Sequence, residues 1–453
     1  MAQQAARIAE LEELVRKLTA RLGQNSLNSS LPPSRDDGAA RKQRPRKGKG
    51  KRGRGGQKGH KGVRRAFVPE KEVDRFVDHI PHDCDGCGRR LHGRDPDPER
   101  RQVFELPALK ADVTEHRFHS LGCTCGTVTR AQTPPELRHG DFGPNLCALV
   151  SLLSGGSRMS KRNIQRLLSD VLGIELSLGS VSNIEARVSK ALEPLHDDVL
   201  REIRSSPFVN MDETSWCEAG SSAWLWVATT PRVAYYCIAP ERSAAIVKKI
   251  LGEDFEGIVG NDRAKAYLVL DPKRRQLCWF HLGRNFQSKI ELGGVDAECG
   301  RQMRAFERRL WSTVHRLEND EIDRSSYDRR MKLLRGEVHR ALSGWAASGD
   351  PKVGVAAMCK NLLDLEPALW TFVENPHASP TNNLAERDIR HPVIWRRSSF
   401  GTDSARGSRF VERILTVVAT CRKQTRSAFR FLSEYLMAAW AGHSRPQLIP
   451  NTS

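Results

Sequence analysis

The apolar pattern of this chain changes its period near Pro207, and that change limits the possible folds more than any other feature. The runs PFVNMD, AWLWVAT and VAYYCIA are short, rich in β-branched and aromatic residues, and separated by polar, Gly-containing or Pro-containing breaks. They predict an antiparallel meander. A helical stretch, ERSAAIVKKIL, comes next, followed by an apolar strand, GIVGND, and a further strand, RQLCWFH. Helical periodicity lies on both sides of this block. The expectation is an α/β chain with its strands gathered in the middle.

Strand, strand, strand, helix, strand, helix, strand is the element order of a ribonuclease-H-like fold. Asp212 would close the first strand and Asp262 the fourth, so the two acids would be neighbours across adjacent strands. From Phe286 to about Phe372 the chain reads as helix. Met303, Phe306, Leu310, Val314 and Leu317 mark one stripe, and Met331, Leu334, Val338, Leu342 and Trp345 another. Such stripes describe an all-helical insertion. Beyond it, SPTNNLAERDIRHPVIW offers Asn or Thr caps and then a helix carrying Glu386. The expected segments are 201–282 for the first part of the core, 283–375 for the insertion, and 376–453 for the Glu386 helix and the C-terminal helices.

The N-terminal part is organised differently. Residues 1–23 space Ile8, Leu11, Val15, Leu18 and Leu22 by three and four, the seam of a short coiled coil or of one amphipathic helix docked on its own protein. Segment 24–70 reads as a basic disordered linker, and residues 41–65 are about half Lys and Arg with no acid. Lys49, Lys51, Arg52, Arg54, Lys58 and Lys61 in it are candidates to follow a phosphate backbone without reading sequence. In 71–135, Cys84-Asp-Gly-Cys87 and Cys123-Thr-Cys125 have the form of a zinc-ribbon-like domain holding structural Zn²⁺, with His116 and His119 close enough to replace one ligand. In 136–200, a helix over about Lys161 to Val171 should stop at Gly173, and a second should start after a capping Ser180. Ile164, Leu167, Leu168 and Val171 should face a core, as should Val181, Ile184 and Val188. The pair has the outline of a helix-turn-helix whose second helix would enter a DNA groove, and equally that of any packed helical pair.

A formal net charge of +19 argues for a polyanionic partner, because clustered Lys and Arg release the counterions condensed on phosphates. No apolar signal core opens the sequence and no stretch approaches the roughly 18 apolar residues of a membrane span, so a cytoplasmic protein is expected. In a reducing compartment the eleven cysteines are thiols or metal ligands before they are disulfides. Acids gathered in a basic chain point to metal-assisted chemistry on nucleic acid. Two Mg²⁺ or Mn²⁺ ions about 4 Å apart can stabilise the attacking and leaving oxygens of a phosphodiester, and hard ions prefer carboxylates. Asp212 would bridge both ions, with Asp262 and Glu386 each holding one side. Glu213 would point to the opposite face of its strand. Asp388 would fall about 200° around a helix from Glu386. Cys278 and His281 suggest a second metal site or, preferably, a buried strand end. Arg284, Arg390, Arg396 and Arg397 are candidate phosphate contacts, while Trp216 and Trp395 would stack on an unpaired base or belong to the core.

The words LGQNSLNSSLPPSRD, GGQKGHKG, CDGCGRRL, VNMDETSW, NDRAKAY, CWFHLGRNF and NNLAERDIR are specific in their order and spacing. Through them the chain resembles the bacterial insertion-sequence sixty-six family of DDE transposases, the TnpC type, over almost its whole length. The resemblance implies that Asp212, Asp262 and Glu386 are a metal-binding triad in a ribonuclease-H-like core interrupted by a helical insertion. It also implies a nucleoid-associated enzyme that binds terminal inverted repeats, hydrolyses each end, and lets the 3′-hydroxyls attack target DNA. A homo-oligomer holding two ends and small accessory transposition proteins are the implied partners. Lys58 replaces the Pro of a GGQPGH motif, Asn261-Asp262-Arg263-Ala264 replaces a Ser-Asp-Gly-Tyr type of sequence, and the second cysteine pair is shortened. Two alternatives stay open: an inactive sequence-specific DNA-binding regulator, and a nuclease without strand transfer.

Overall fold

The computed structural model describes residues 66–93, 95–350 and 354–450. The expected helix over 1–23 and the basic residues Lys49, Lys51, Arg52, Arg54, Lys58 and Lys61 lie outside the described residues. Among the described residues the chain divides into two compact units, 66–112 and 113–450. In the smaller one, Gln102 pairs through its side-chain amide with both backbone groups of Val68, at 2.8 and 2.9 Å. A tight turn there carries Cys84 and Cys87, closed by Gly88 N–H donating to Cys84 O at 2.8 Å and by Cys84 N–H donating to Arg89 O at 2.9 Å.

The larger unit begins with a hairpin, β1 (Ser120–Gly122) and β2 (Val128–Arg130), whose turn holds Cys123 and Cys125. Four helices follow: α1 (Pro144–Ser151), α2 (Lys161–Leu172), α3 (Leu178–Ala191) and α4 (Glu193–Ser205). The sheet contains β3 (Phe208–Glu218), β4 (Ser221–Thr229) and β5 (Ala234–Ala239) as an antiparallel meander. Helix α5 (Ala244–Leu251) then crosses to β6 (Ile258–Asn261), which runs parallel to β3, and β7 (Arg275–Leu277) runs parallel to β6. The strand order is β5-β4-β3-β6-β7. The remainder is helical: α6 (Trp279–Leu292), α7 (Gly294–Glu318), α8 (Arg324–Ala347), α9 (Gly354–Asp364), α10 (Glu366–Glu374), α11 (Asn383–Ser399), α12 (Ala405–Lys423) and α13 (Ala428–Ala441).

Helix α2 stops where expected, at Gly173 with φ of +64°. Helix α3 starts earlier than expected, because Ser177 Oγ, not that of Ser180, accepts the capping N–H, donated by Ser180 at 2.9 Å. Val171 is 47% exposed although Ile164 and Leu168 are fully buried, since the buried stripe of α2 is narrower than its apolar pattern. Helix α3 is wedged between α1 and α12, so the helical pair is continuous with the main core.

Three strand expectations need correction. Strand β3 does not end at Asp212 but continues to Glu218, because Ala219 and Gly220, with φ of 49° and 78°, form a tight turn that pairs TSWCE with β4. The run RQLCWFH is a strand only to Leu277: β6 has ended opposite it, at Asn261, and Trp279 already begins α6. Between β6 and β7 lie two short 3-10 turns, Lys265–Val269 and Pro272–Arg274, in place of a full helix.

Apolar residues form two cores. One joins the sheet to α1–α5 and α11–α13; the other is internal to α6–α10 and includes the stripe residues Met303, Leu310, Met331, Leu334, Val338 and Leu342. The second core rests on the edge of the sheet, where Phe372 N–H donates to Gln276 Oε1 at 2.8 Å. No helix among the described residues is long and apolar enough to cross a membrane.

Candidate active site

The parallel pairing of β3 with β6 sets Phe208, Val209 and Asn210 opposite Ile258, Val259 and Gly260. Carrying the same offset forward puts Asp212 level with Asp262, the residue after β6 ends. Gly260 is required at this crossing, for a Cβ would lie 2.6 Å from Asn210 Nδ2 and 2.8 Å from the Phe208 ring. Backbone N–H groups orient both acids: Glu213 donates to Asp212 Oδ1 at 2.9 Å and Ala264 to Asp262 Oδ1 at 2.7 Å.

Alternation along β3 places Asn210, Asp212 and Thr214 on one face, and α11 covers that face. Asn210 Nδ2 donates to Asn382 Oδ1 at 2.8 Å, and Asn382 Nδ2 donates to Met211 O at 2.7 Å. Farther along, Arg396 Nη1 donates to Thr214 Oγ1 at 3.0 Å and Ser215 O at 2.5 Å. Asn382 O also accepts the Glu386 N–H at 3.1 Å, so the residue that clasps β3 opens the helix turn that carries Glu386. The helix turn that carries Glu386 is thereby fastened to β3 at Met211, the neighbour of Asp212.

Electrostatics agree with this convergence. Burial, then the negative charges of Glu213 and Asp262 and, more weakly, Glu386, raises Asp212 well above its ordinary value of 3.8. An acid acted on by three like charges fits a divalent cation with hard oxygen ligands. Glu213 lies on the opposite strand face, as expected. Its carboxylate accepts from the Tyr267 hydroxyl at 2.5 Å and from Arg242 Nε at 2.6 Å, and burial still raises it. Arg242 also stands 3.8 Å from Asp262 Oδ2. Behind Asp262, the fully buried Arg275 donates to Asn261 Oδ1 at 2.9 Å, and burial lowers its guanidinium to about 10. Arg263 ties the same loop to α9 and α6 through Asn361 (3.1 Å) and Asn285 (2.8 Å).

The other candidates sort by position. Asp388 points away from Asp212, accepting from Thr229 Oγ1 at 2.7 Å and pairing with Lys423 at 2.8 Å. Trp216 and Trp395 are buried core residues. Arg390 and Arg397 are exposed, Arg284 is half-buried, and Arg396 is committed to β3. Cys278 and His281 are not a strand end: they open α6 and, with Glu386, place one ligand atom each within 4.8 Å of one another. The two cysteine turns have the donor set of zinc knuckles. Backbone N–H groups of Gly86 and Cys87 lower the Cys84 thiol, and Thr127 lowers that of Cys125 to about 7.

Sequence reasoning missed Asn382, Arg242, Tyr267 and Arg275. Tyr267 stands inside NDRAKAY and Asn382 inside NNLAERDIR, so both belong to motifs that also carry a candidate acid. Their roles depend on partners in other elements, which spacing cannot show.

A family model described as Transposase IS66 family matches residues 139–409, more than half of the chain and a span that contains all three acids. A second model, Family of unknown function (DUF6444), matches residues 2–66. The uncharacterized protein y4qI of Sinorhizobium fredii is 24% identical over 449 residues, covering 91% of this chain and 78% of that protein.

Proposed function

The chain belongs to the IS66 family of transposases, and from that premise we propose that it cleaves and joins DNA with Asp212, Asp262 and Glu386 as its metal-binding carboxylates. The observation that supports the reading is the charge on Asp212, which feels both Asp262, levelled with it by the β3/β6 register, and Glu386, whose helix is anchored on β3 by Asn382. The sheet order, antiparallel on one side of β3 and parallel on the other, supports a ribonuclease-H-like core with α6–α10 as its helical insertion.

Two Mg²⁺ or Mn²⁺ ions held by these carboxylates would supply charge neutralisation and polarise the oxygens around a scissile phosphate. The protein's own groups position and exclude. Arg242, shared by Glu213 and Asp262, limits the swing of the second acid; Asn382 and Arg396 hold α11 against β3. Arg284, Arg390 and Arg397, with Lys49, Lys51, Arg52, Arg54, Lys58 and Lys61 of the basic arm, contact DNA phosphates, whereas Arg396 serves the fold. Cys84 and Cys87 in one turn, and Cys123 and Cys125 in another, are the proposed ligands of structural Zn²⁺. The enzyme works in the cytoplasm on the nucleoid, as a homo-oligomer on two transposon ends and a target, with small accessory proteins.

The test is nicking and joining of an oligonucleotide carrying the element's terminal repeat, with and without Mg²⁺. Wild type should give both products, and Asp212→Ala, Asp262→Ala and Glu386→Ala neither. Undiminished activity in any of the three would remove that residue from the site. Nicks without joined product would make the protein a nuclease, and metal-independent binding without nicks a regulator.

A further inference from the structure

Cys278 is the N-cap residue of α6, His281 lies in its first turn, and Glu386 lies in the first turn of α11. The two helix starts are fastened together: Asn382 N–H donates to Cys278 Sγ at 3.2 Å and Trp279 N–H to Pro380 O at 3.0 Å. One ligand atom from each of Cys278, His281 and Glu386 lies within 4.8 Å of the other two. His281 Nδ1 and Glu386 Oε1 are 3.4 Å apart; the two side chains are partly exposed, yet these two atoms are buried and neither completes a hydrogen bond. Buried polar atoms are nearly always satisfied, so two orphans beside a thiol call for a ligand.

The donor set says which. A thiolate sulfur, an imidazole nitrogen and one carboxylate oxygen suit a borderline-soft divalent ion, whereas Mg²⁺ takes oxygens. We propose that Cys278, His281 and Glu386 form a binding site for a zinc-class cation, and that its occupation withdraws Glu386 from the oxygen-ligand site. The binding claim stands on the three donors; the withdrawal rests on Glu386 acting as a catalytic carboxylate, as proposed above. Ligands around tetrahedral zinc stand about 3.5 Å apart, so the donors need to close by about 1 Å, a movement side-chain torsions allow. Binding displaces the thiol proton to the buffer, and the fourth position is left for water or a DNA phosphate oxygen. Zinc would then inhibit in competition with magnesium.

Cobalt reports such a site, because a Co²⁺–thiolate bond gives a near-ultraviolet charge-transfer band. Full-length wild type, Cys278→Ser, His281→Ala and Cys84→Ser proteins are titrated with Co²⁺, and circular dichroism checks the fold of each. Cys278→Ser and His281→Ala should each take one equivalent less than wild type, with thiolate intensity lost in Cys278→Ser beyond that lost from the Cys84 knuckle. Equal uptake by wild type and both variants would overturn the site. Added Zn²⁺ should slow nicking by wild type at fixed Mg²⁺, and half-inhibition should need at least about tenfold more Zn²⁺ in Cys278→Ser. Unchanged inhibition would overturn the coupling. Failure of the catalytic reading looks different: Glu386→Ala would then nick normally, while the cobalt titrations still decide whether the site exists.

Discussion

Replacing Asn382 by Ala removes a side chain that joins the start of α11 to β3. That side chain is almost fully buried, accepts from Asn210 Nδ2 at 2.8 Å and donates to Met211 O at 2.7 Å. In the variant Asn210 keeps a longer bond to Thr381 O at 3.3 Å, but Met211 O loses its donor. Two buried hydrogen bonds at about 1 kcal/mol each, with about 1–2 kcal/mol more for the stranded carbonyl, give a loss of about 3–4 kcal/mol. The backbone bond from Glu386 N–H to Asn382 O survives, so α11 stays helical and loses only its lateral anchor. A displacement of Glu386 on the order of 1 Å would lower nicking about 10²-fold. Denaturant melts measure the first effect, and metal-dependent nicking of end DNA by the folded variant measures the second. Asn382→Asp should do no better, since it turns an oxygen towards Met211 O. Wild-type nicking by a folded Asn382→Ala protein would refute the reasoning, because Glu386 would then be placed by something else.

Asp212→Asn should abolish nicking, by at least about 10³-fold, and yet melt higher than wild type at neutral pH without divalent ions. The sign follows from its raised pKa: the folded state binds the Asp212 proton more tightly than the unfolded state, so stability falls as pH climbs from about 3.8 through the raised value. The variant should lack that fall, and parallel pH melts would show it. Mg²⁺ binding to wild type should release protons near the raised value, measurable by calorimetry in buffers of different ionisation enthalpy. Asp388→Ala should cost about 2–4 kcal/mol by leaving the largely buried Lys423 ammonium unpaired, while the Thr229 hydroxyl turns to Val233 O at 2.9 Å and nicking per folded molecule stays within a few-fold of wild type. Loss of nicking with intact stability would move the third acid from Glu386 to Asp388. Gly401→Ala should destabilise by more than about 2 kcal/mol in a thermal melt, because Gly401 has φ of +118° and a Cβ there would collide with the Cys217 carbonyl. A neutral result would mean that the loop after α11 can detach from β3 at no cost.

Asp212 and Asp262 can be read as neighbours from sequence alone because their apolar runs are long enough to specify strands and their order specifies the pairing. The ends of those runs are less readable, since composition does not say where a partner stops. TSWCE stays in β3 because a tight turn folds β4 back on it, while CWFH leaves β7 because β6 has already ended. The choice of Ser177 over Ser180 as a cap likewise depends on which oxygen the first turn meets.

Glu386 is a different case. Its place beside Asp212 depends on contacts across some 170 residues, from Asn382 to Asn210 and Met211, and on Arg396 reaching Thr214 across 182. The stripes of the intervening helices are legible and are indeed buried, yet they close on a core internal to α6–α10. The chain leaves the sheet at Cys278 and returns at Asn382, where the Asn382 N–H and Cys278 Sγ are 3.2 Å apart. Because departure and return coincide, the intervening residues bear on the acid mainly through that stem and the contacts of α10 with β7. The pattern that reveals the insertion is therefore silent about Glu386, and the information sits in Asn382, which the sequence offers only as a cap, and in Arg396 farther along the helix.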